Sequence, residues 1–297
     1  MRDGQHILGR SMRSSTRGVR SSKGSMLASR GVGGLILMFF LVVNIFPLIW
    51  VLMSSFKTNR EILNHALSFP ESFSFSNYIR VAHEPGIFLA FLNSGIATAI
   101  SIVINVSVCY LAAYCISRFN FRFLKIVAML LAFGLLVPIN SALLPIKFIC
   151  DALHMSNSVP GLGVLYAALQ IPMSILILEG HISQIPRALD EAASVDGAGF
   201  FRTAVLVIAP VAKPGIITVL ILQAVFSWNE FQFALTLISD QSKKTIQILT
   251  RNFIGLYQAN YGALFAAVVL AMIPMVVVFL IFQNRVIEAF TSGSLKE

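Results

Sequence analysis

Glu230 is the single charged side chain within the long apolar stretches of this chain, and Trp228 and Asn229 stand directly before it. A carboxylate at the centre of a membrane helix costs about 2.5–3.5 kcal/mol on insertion scales, so it needs a partner or a water-filled cavity. Two kinds of role follow. Glu230 can line a polar path together with Trp228 and Asn229, whose aromatic face and amide suit hydroxylated rings. It can equally form a structural pair with a neighbouring helix, or sit near enough to the outer surface to be wet. Asn140 and Ser141, between Pro138 and Pro145, make a second polar notch, either path-lining or a satisfied kink. The isolated amides Asn44, Asn93, Asn105 and Gln223 predict hydrogen bonds between helices. His181, two residues after Glu179, is an interfacial histidine with no assigned role.

A different chemistry resides in residues 186–214, a polar insert with no long apolar run. Pro186 suits the first turn of a helix, where its missing N–H is not needed. Ala188, Ala192 and Val195 then share one face, with Leu189 and Ala193 beside it. These side chains are small, so another backbone can approach closely. Asp190, Glu191 and Asp196 supply the polar side. Gly197 can take the left-handed conformation that ends a helix. Phe200 and Phe201 restart an apolar pattern, and Pro210 and Pro214 punctuate the entry to the next span. The insert is either a surface connection between two spans or a docking element for another protein.

The missing motifs narrow the function. There is no G-x-x-x-x-G-K-[ST], so this chain has no such loop to cradle ATP phosphates, and any ATP that drives it binds a separate chain. H-E-x-x-H, G-x-S-x-G and clustered His/Asp sets are missing too, so neither catalytic residues nor metal ligands are assigned. Cys109, Cys115 and Cys150 are odd in number and lack a C-x-x-C spacing, and are read as packing residues. Of the 297 residues 57% are apolar and only 12% charged, about half the soluble norm of roughly 25%. So little charge cannot cover a water-soluble surface, and the class is a polytopic, all-α membrane protein. The net charge of +9 fits basic loops on one membrane side. No basic-aromatic interleaving points to nucleic acid.

Six stretches are long enough to cross a bilayer: 32–55, 88–116, 126–146, 159–178, 215–237 and 262–282. Residues 1–30 carry seven Lys and Arg against Asp3 alone and read as a disordered basic tail. The domain boundaries are therefore a tail at 1–30 and a transmembrane domain at 31–297. With the N-terminus inside, the inner segments hold fifteen Lys and Arg and the outer ones seven. The tail supplies most of that difference and adjoins the first span. The expectation is cytoplasmic N- and C-termini and a cytoplasmic 186–214 loop.

The spacing Glu191-Ala192-Ala193, three residues, Gly197, nine residues, Val207, one residue, Ala209-Pro210 resembles the cytoplasmic loop signature of ABC importer permeases. That family often has Ile and Leu where this chain has Val207 and Ala209. Asp196 before Gly197, and Trp228-Asn229-Glu230-Phe231, resemble its carbohydrate-uptake branch and the smaller permease of maltose-type transporters. Phe56-Lys57-Thr58, Pro70-Glu71-Ser72-Phe73, Asn77-Tyr78, Asn93-Ser94, Ala113-Tyr114 and Arg118-Phe119 fit the same family. So does Thr291-Ser292-Gly293, where the tail departs only at Ser294 and Leu295. The likeness covers residues 31–297.

The resemblance implies six transmembrane helices in the importer-permease (type I ABC) architecture and a place in a bacterial cell membrane. It implies a second permease, ATP-binding subunits that hold ATP and Mg, and an extracellular solute-binding protein. Glu191, Ala192, Ala193, Asp196 and Gly197 would then form the ATPase-coupling element. Glu191 would pair with a basic group of the ATPase, and Asn140, Trp228, Asn229 and Glu230 would border the translocation path. An ion-driven transporter would instead show several intramembrane acids or paired broken helices. A membrane-embedded enzyme would need the catalytic sets that are missing.

Overall fold

The structure, a computed structural model, describes residues 22–255 and 259–294. It divides into two units, residues 1–51 and Leu52–Glu297. Among the described residues helix is the only extended regular structure; Ile254 and Ala259 form an isolated antiparallel bridge.

The first unit consists of most of helix α1 (Ser22–Ser54), whose apolar part, Gly33–Ser54, has a mean hydropathy of 2.7. Residues 22–30 of the basic tail are helical. A helix once nucleated adds one bond per residue fixed, so an apolar span propagates into a flank containing Met26, Leu27 and Ala28. The rest of the expected basic tail, residues 1–21, lies outside the described residues. Asn44 bonds back to Phe40 O at 2.7 Å on its own helix, not between helices.

The second unit opens with two short helices, α2 (Asn59–Asn64) and α3 (Ser76–Ala82). A capping box of Thr58 and Glu61 starts α2, as that pairing favours. Hydrogen bonds from Thr58, side chain first, hold the Glu61 carboxyl below its ordinary range. Then come α4 (Ile87–Arg118), α5 (Arg122–Gly134), a 3₁₀ turn at Ile139–Ala142, α6 (Leu143–Ala152), α7 (Val159–Leu169) and α8 (Ile171–Ile182). The insert contains α9 (Ala188–Val195), α10 (Phe200–Arg202), a π-helical stretch Thr203–Ile208 and α11 (Ala209–Val211). The chain closes with α12 (Lys213–Asn229), α13 (Gln232–Leu237), α14 (Ile246–Thr250) and α15 (Tyr261–Ser294).

Three of the six expected spans are single helices: Gly33–Ser54, Ile87–Arg118 and Tyr261–Gln283. Two more are bent pairs, Arg122–Gly134 with Ile139–Ala152 at 97° and Val159–Leu169 with Ile171–Ile182 at 51°; the expected 215–237 stretch lies in α12 and α13, and α12 meets Phe200–Val211 of the insert at 82°. A proline marks each break. Pro138 caps the 3₁₀ turn, and Pro172 and Pro214 occupy the first turns of α8 and α12. Proline removes a donor and disfavours helical geometry in the residue before it. Hydropathy alone is blind to such breaks, which is why the third stretch reads as one span in the sequence.

The second unit is assembled around α4, which packs against α7, α8 and α12. Its buried face repeats small and polar side chains at Ser94, Thr98, Ser101, Asn105, Cys109 and Ala113. Lipid supplies no hydrophobic drive between helices, so small residues and interhelical hydrogen bonds supply the contact. Asn105 donates to Ala167 O at 2.9 Å, Gln223 to Tyr166 O at 3.1 Å, and the Ser101 and Ser227 hydroxyls meet at 2.6 Å. Asn93 instead ties α4 to the loop before α14, through Ser242 O at 2.9 Å and Lys244 O at 3.0 Å. At Gly163 of α7 the approach is so close that an added Cβ would lie 2.8 Å from Ala97 O.

Candidate functional site

The insert folds as its residue types direct. Asp190 and Glu191 lie in the first turn of α9, where acidic groups favour the helix dipole. Gly197 ends it with φ +77°. Ala198 N–H reaches Ala193 O at 2.9 Å and Gly197 N–H reaches Ser194 O at 3.0 Å, the paired bonds of a glycine-terminated helix. Glu191, Ala192, Asp196 and Gly197 are exposed, and Ala193 is buried as α9 packs on the Thr203–Ile208 stretch. The small-sided face of Ala188, Ala192 and Val195 points away from the fold, with Val195 88% exposed. α9 thus presents an acidic and small-residue surface outward on a short, defined helix.

Asp190 points the other way. Its Oδ1 accepts from the Tyr114 hydroxyl at 2.7 Å, and its Oδ2 lies 3.0 Å from Arg118 Nε in an ion pair. The Arg118 N–H is not aligned for a hydrogen bond there. Sequence reasoning gave Asp190 only a place on the polar side of the helix. Its partners lie on α4, and nothing local in the sequence links them.

The second candidate group separates into two roles. Glu230 stands not at a helix centre but at the C-terminal cap of α12, where the chain breaks before α13. Its carboxylate accepts from Phe233 N–H at 2.8 Å, Ala234 N–H at 3.0 Å and the Tyr166 hydroxyl at 2.8 Å. It therefore caps α13 and joins it to α7, the structural pairing that the sequence left open. Trp228 is buried, and its indole N–H donates to Ala271 O of α15 at 2.9 Å. Asn229 is exposed and bonds to Val225 O at 2.9 Å on its own helix. Asn140 is exposed on the 3₁₀ turn, and its neighbours Ile139 and Leu143 pack on the cluster that holds Tyr166 and Phe233. The two notches therefore flank one apolar cluster. No group of three or more metal-ligating side chains occurs among the described residues.

This capping geometry carries a prediction. Glu230→Ala leaves two backbone N–H groups and the Tyr166 hydroxyl without their acceptor, at about 1–3 kcal/mol for each buried group left unmade. The purified permease should melt several degrees lower in detergent. Glu230→Gln keeps one acceptor oxygen and should recover part of the loss. Equal melting temperatures for all three proteins would remove the cap role.

Residues 105–291 match the family described as "Binding-protein-dependent transport system inner membrane component". The diacetylchitobiose uptake system permease protein of Streptomyces coelicolor is 32% identical, covering 88% of this chain and 87% of that protein. The trehalose/maltose transport system permease protein of Thermococcus litoralis is 33% identical, covering 86% and 92%. The fold matches a chain in the crystal structure of a bacterial ABC transporter involved in the import of the acidic polysaccharide alginate, with a TM-score of 0.78 and 21% identity, over 89% of this chain and 98% of that one. The likeness runs through the insert and the broken spans alike, and this chain belongs to the inner membrane components of binding-protein-dependent transport systems.

Proposed function

We propose that this chain is one permease of an ATP-driven importer that carries an oligosaccharide into the cytoplasm. The observation that carries the reading is α9, an exposed acidic helix closed by Gly197 and displayed between two spans. Separate ATP-binding subunits hold ATP and Mg, and α9 seats in a cleft on one of them, with Glu191 facing a basic group. A second permease completes the path, and an external solute-binding protein delivers the sugar. Asn140 and Asn229, the exposed members of the two notches, line the path, while Trp228 and Glu230 hold the break beside it. The carbohydrate reading is supported by relatives named for diacetylchitobiose and for trehalose and maltose. It is also supported by the six apolar stretches 32–55, 88–116, 126–146, 159–178, 215–237 and 262–282, which contain no Lys or Arg to pair with an anionic solute.

Uptake of radiolabelled oligosaccharides, amino acids and phosphate esters by the reconstituted complex tests this. Oligosaccharides should enter in an ATP-dependent manner. Uptake of amino acids or inorganic anions alone would overturn the solute class. The termini and α9 face the cytoplasm in this reading. In a cysteine-free variant Ser194→Cys should resist an impermeant thiol reagent in intact cells, while Ser72→Cys reacts. Labelling at position 194 from outside would reverse the topology.

A further inference from the structure

Three side chains on one face of α4, Tyr110, Tyr114 and Arg118, stand at i, i+4 and i+8, a helical row. All three reach into the insert. The Tyr110 hydroxyl donates to Ala204 O in the π-helical stretch. Tyr114 and Arg118 both take Asp190 of α9, at 2.7 Å and 3.0 Å. The Tyr114 and Phe119 rings sit 5.4 and 5.9 Å from Phe200, on the far side of the Gly197 turn. Arg187, just before α9, returns a bond to Ser117 O at 3.2 Å. Both arms of the insert are therefore fastened to the last three turns of one helix.

Little else holds α9 to that helix. Its apolar side chains are largely exposed, and its packing runs to the π-helical stretch instead. The pair is also enclosed: the Arg118 side chain is 7% exposed and that of Asp190 20%. A charge so enclosed cannot lose its partner without consequence, unlike an exposed surface pair. The same α4, further along, contacts α7 and α12 through its polar stripe.

We infer that Arg118 and Asp190, with Tyr114, are positioning residues that latch the coupling helix to α4, so that displacement of α9 moves α4 instead of being absorbed by the insert. The inference rests on the importer reading for its cause of displacement, but the latch itself does not.

Two measurements separate the parts. In the purified permease alone, amide exchange over residues 188–196 should speed at least tenfold in Arg118→Met and in Asp190→Asn. Unchanged exchange would overturn the latch, whatever the protein transports. In the complete reconstituted complex, sugar imported per ATP hydrolysed should fall at least tenfold in the same variants, with ATPase subunits still co-purifying. The exchanged pair, Arg118→Asp with Asp190→Arg, should recover to within about threefold of the unaltered complex. Faster exchange with an unchanged import ratio would overturn the transmission role and leave a local anchor. If the unaltered complex shows no ATP-dependent uptake, the importer reading falls, and exchange still decides the latch. Should Arg118→Met fail to accumulate, Asp190→Asn, which is isosteric and retains an acceptor for Tyr114, gives both readouts.

Discussion

Gly197→Val is expected to abolish transport while leaving the permease in the membrane. The residue ends α9 at φ +77°, a conformation that costs an L-residue with a Cβ about 1–2 kcal/mol and is a genuine outlier for a β-branched one. Nothing lies within 4 Å of the position a Cβ would take, so the penalty is backbone strain and not a clash. That distinction sets an order. Asn tolerates the left-handed region and should keep near-normal uptake, Ala should be intermediate, and Val should show none. ATP-driven uptake in vesicles, normalised to immunoblotted permease, reads the series. Import by the valine variant at the unaltered rate would remove the turn from the mechanism, and equal failure of Asn and Val would show that space matters after all. Glu191→Lys makes a companion test. The side chain is exposed, so folding should not change. In the proposed docking Glu191 faces a basic group of the ATPase, and reversing its charge should then cost about 2–5 kcal/mol and release that subunit on purification.

Gly163→Val is expected to destabilise the protein by forcing α7 off α4. A Cβ there would sit 2.8 Å from Ala97 O and 2.9 Å from two side-chain atoms of Ile100. Backbone cannot swing aside, so α7 must back away from α4. The same separation would stretch the Asn105 bond to Ala167 O, which now measures 2.9 Å. Overpacking costs about 1–3 kcal/mol, or roughly 2–12 °C of melting temperature for a unit of this size. Thermal unfolding in detergent measures it. Gly95→Ala on α4 is the control: nothing lies within 4 Å of its Cβ, and replacing glycine inside a helix should add about 0.5–1 kcal/mol. A Gly163→Val protein that melts with the unaltered one would mean the helices can part freely.

The six-span pattern was legible because about 20 apolar residues are needed to cross lipid and hydropathy measures that directly. The Gly197 turn was legible for a similar reason, since helix ends are set by local residue types. The breaks were less so: a kink at Pro138 was one of the two readings of its notch, while Gln170 to Pro172 stays apolar enough for a hydropathy run to pass straight through. Pro172 was the signal that could have placed the second. Glu230 reads as mid-span because α13 continues the apolar run, yet its ligands are the two N–H groups that start α13 and a tyrosine 64 residues earlier. Asp190 lies 76 residues from Tyr114, and no local pattern encodes a contact of that range.

The polar stripe on α4 sets a timetable for biogenesis. Ser101 finds Ser227 across 126 residues of sequence, and at about 5–20 residues per second the ribosome needs roughly 6–25 s to make up that interval. Until α12 exists, the Ser101 hydroxyl is satisfied only within its own helix, by Thr98 O at 2.8 Å, and its contact with the rest of the core waits. Asn105 is served earlier, by α7, 62 residues on. The second span is therefore completed by helices made long after it. A nascent chain that stops short of α12 carries a stripe closed only in part, by α7 and α8, the kind of surface that membrane quality control can read.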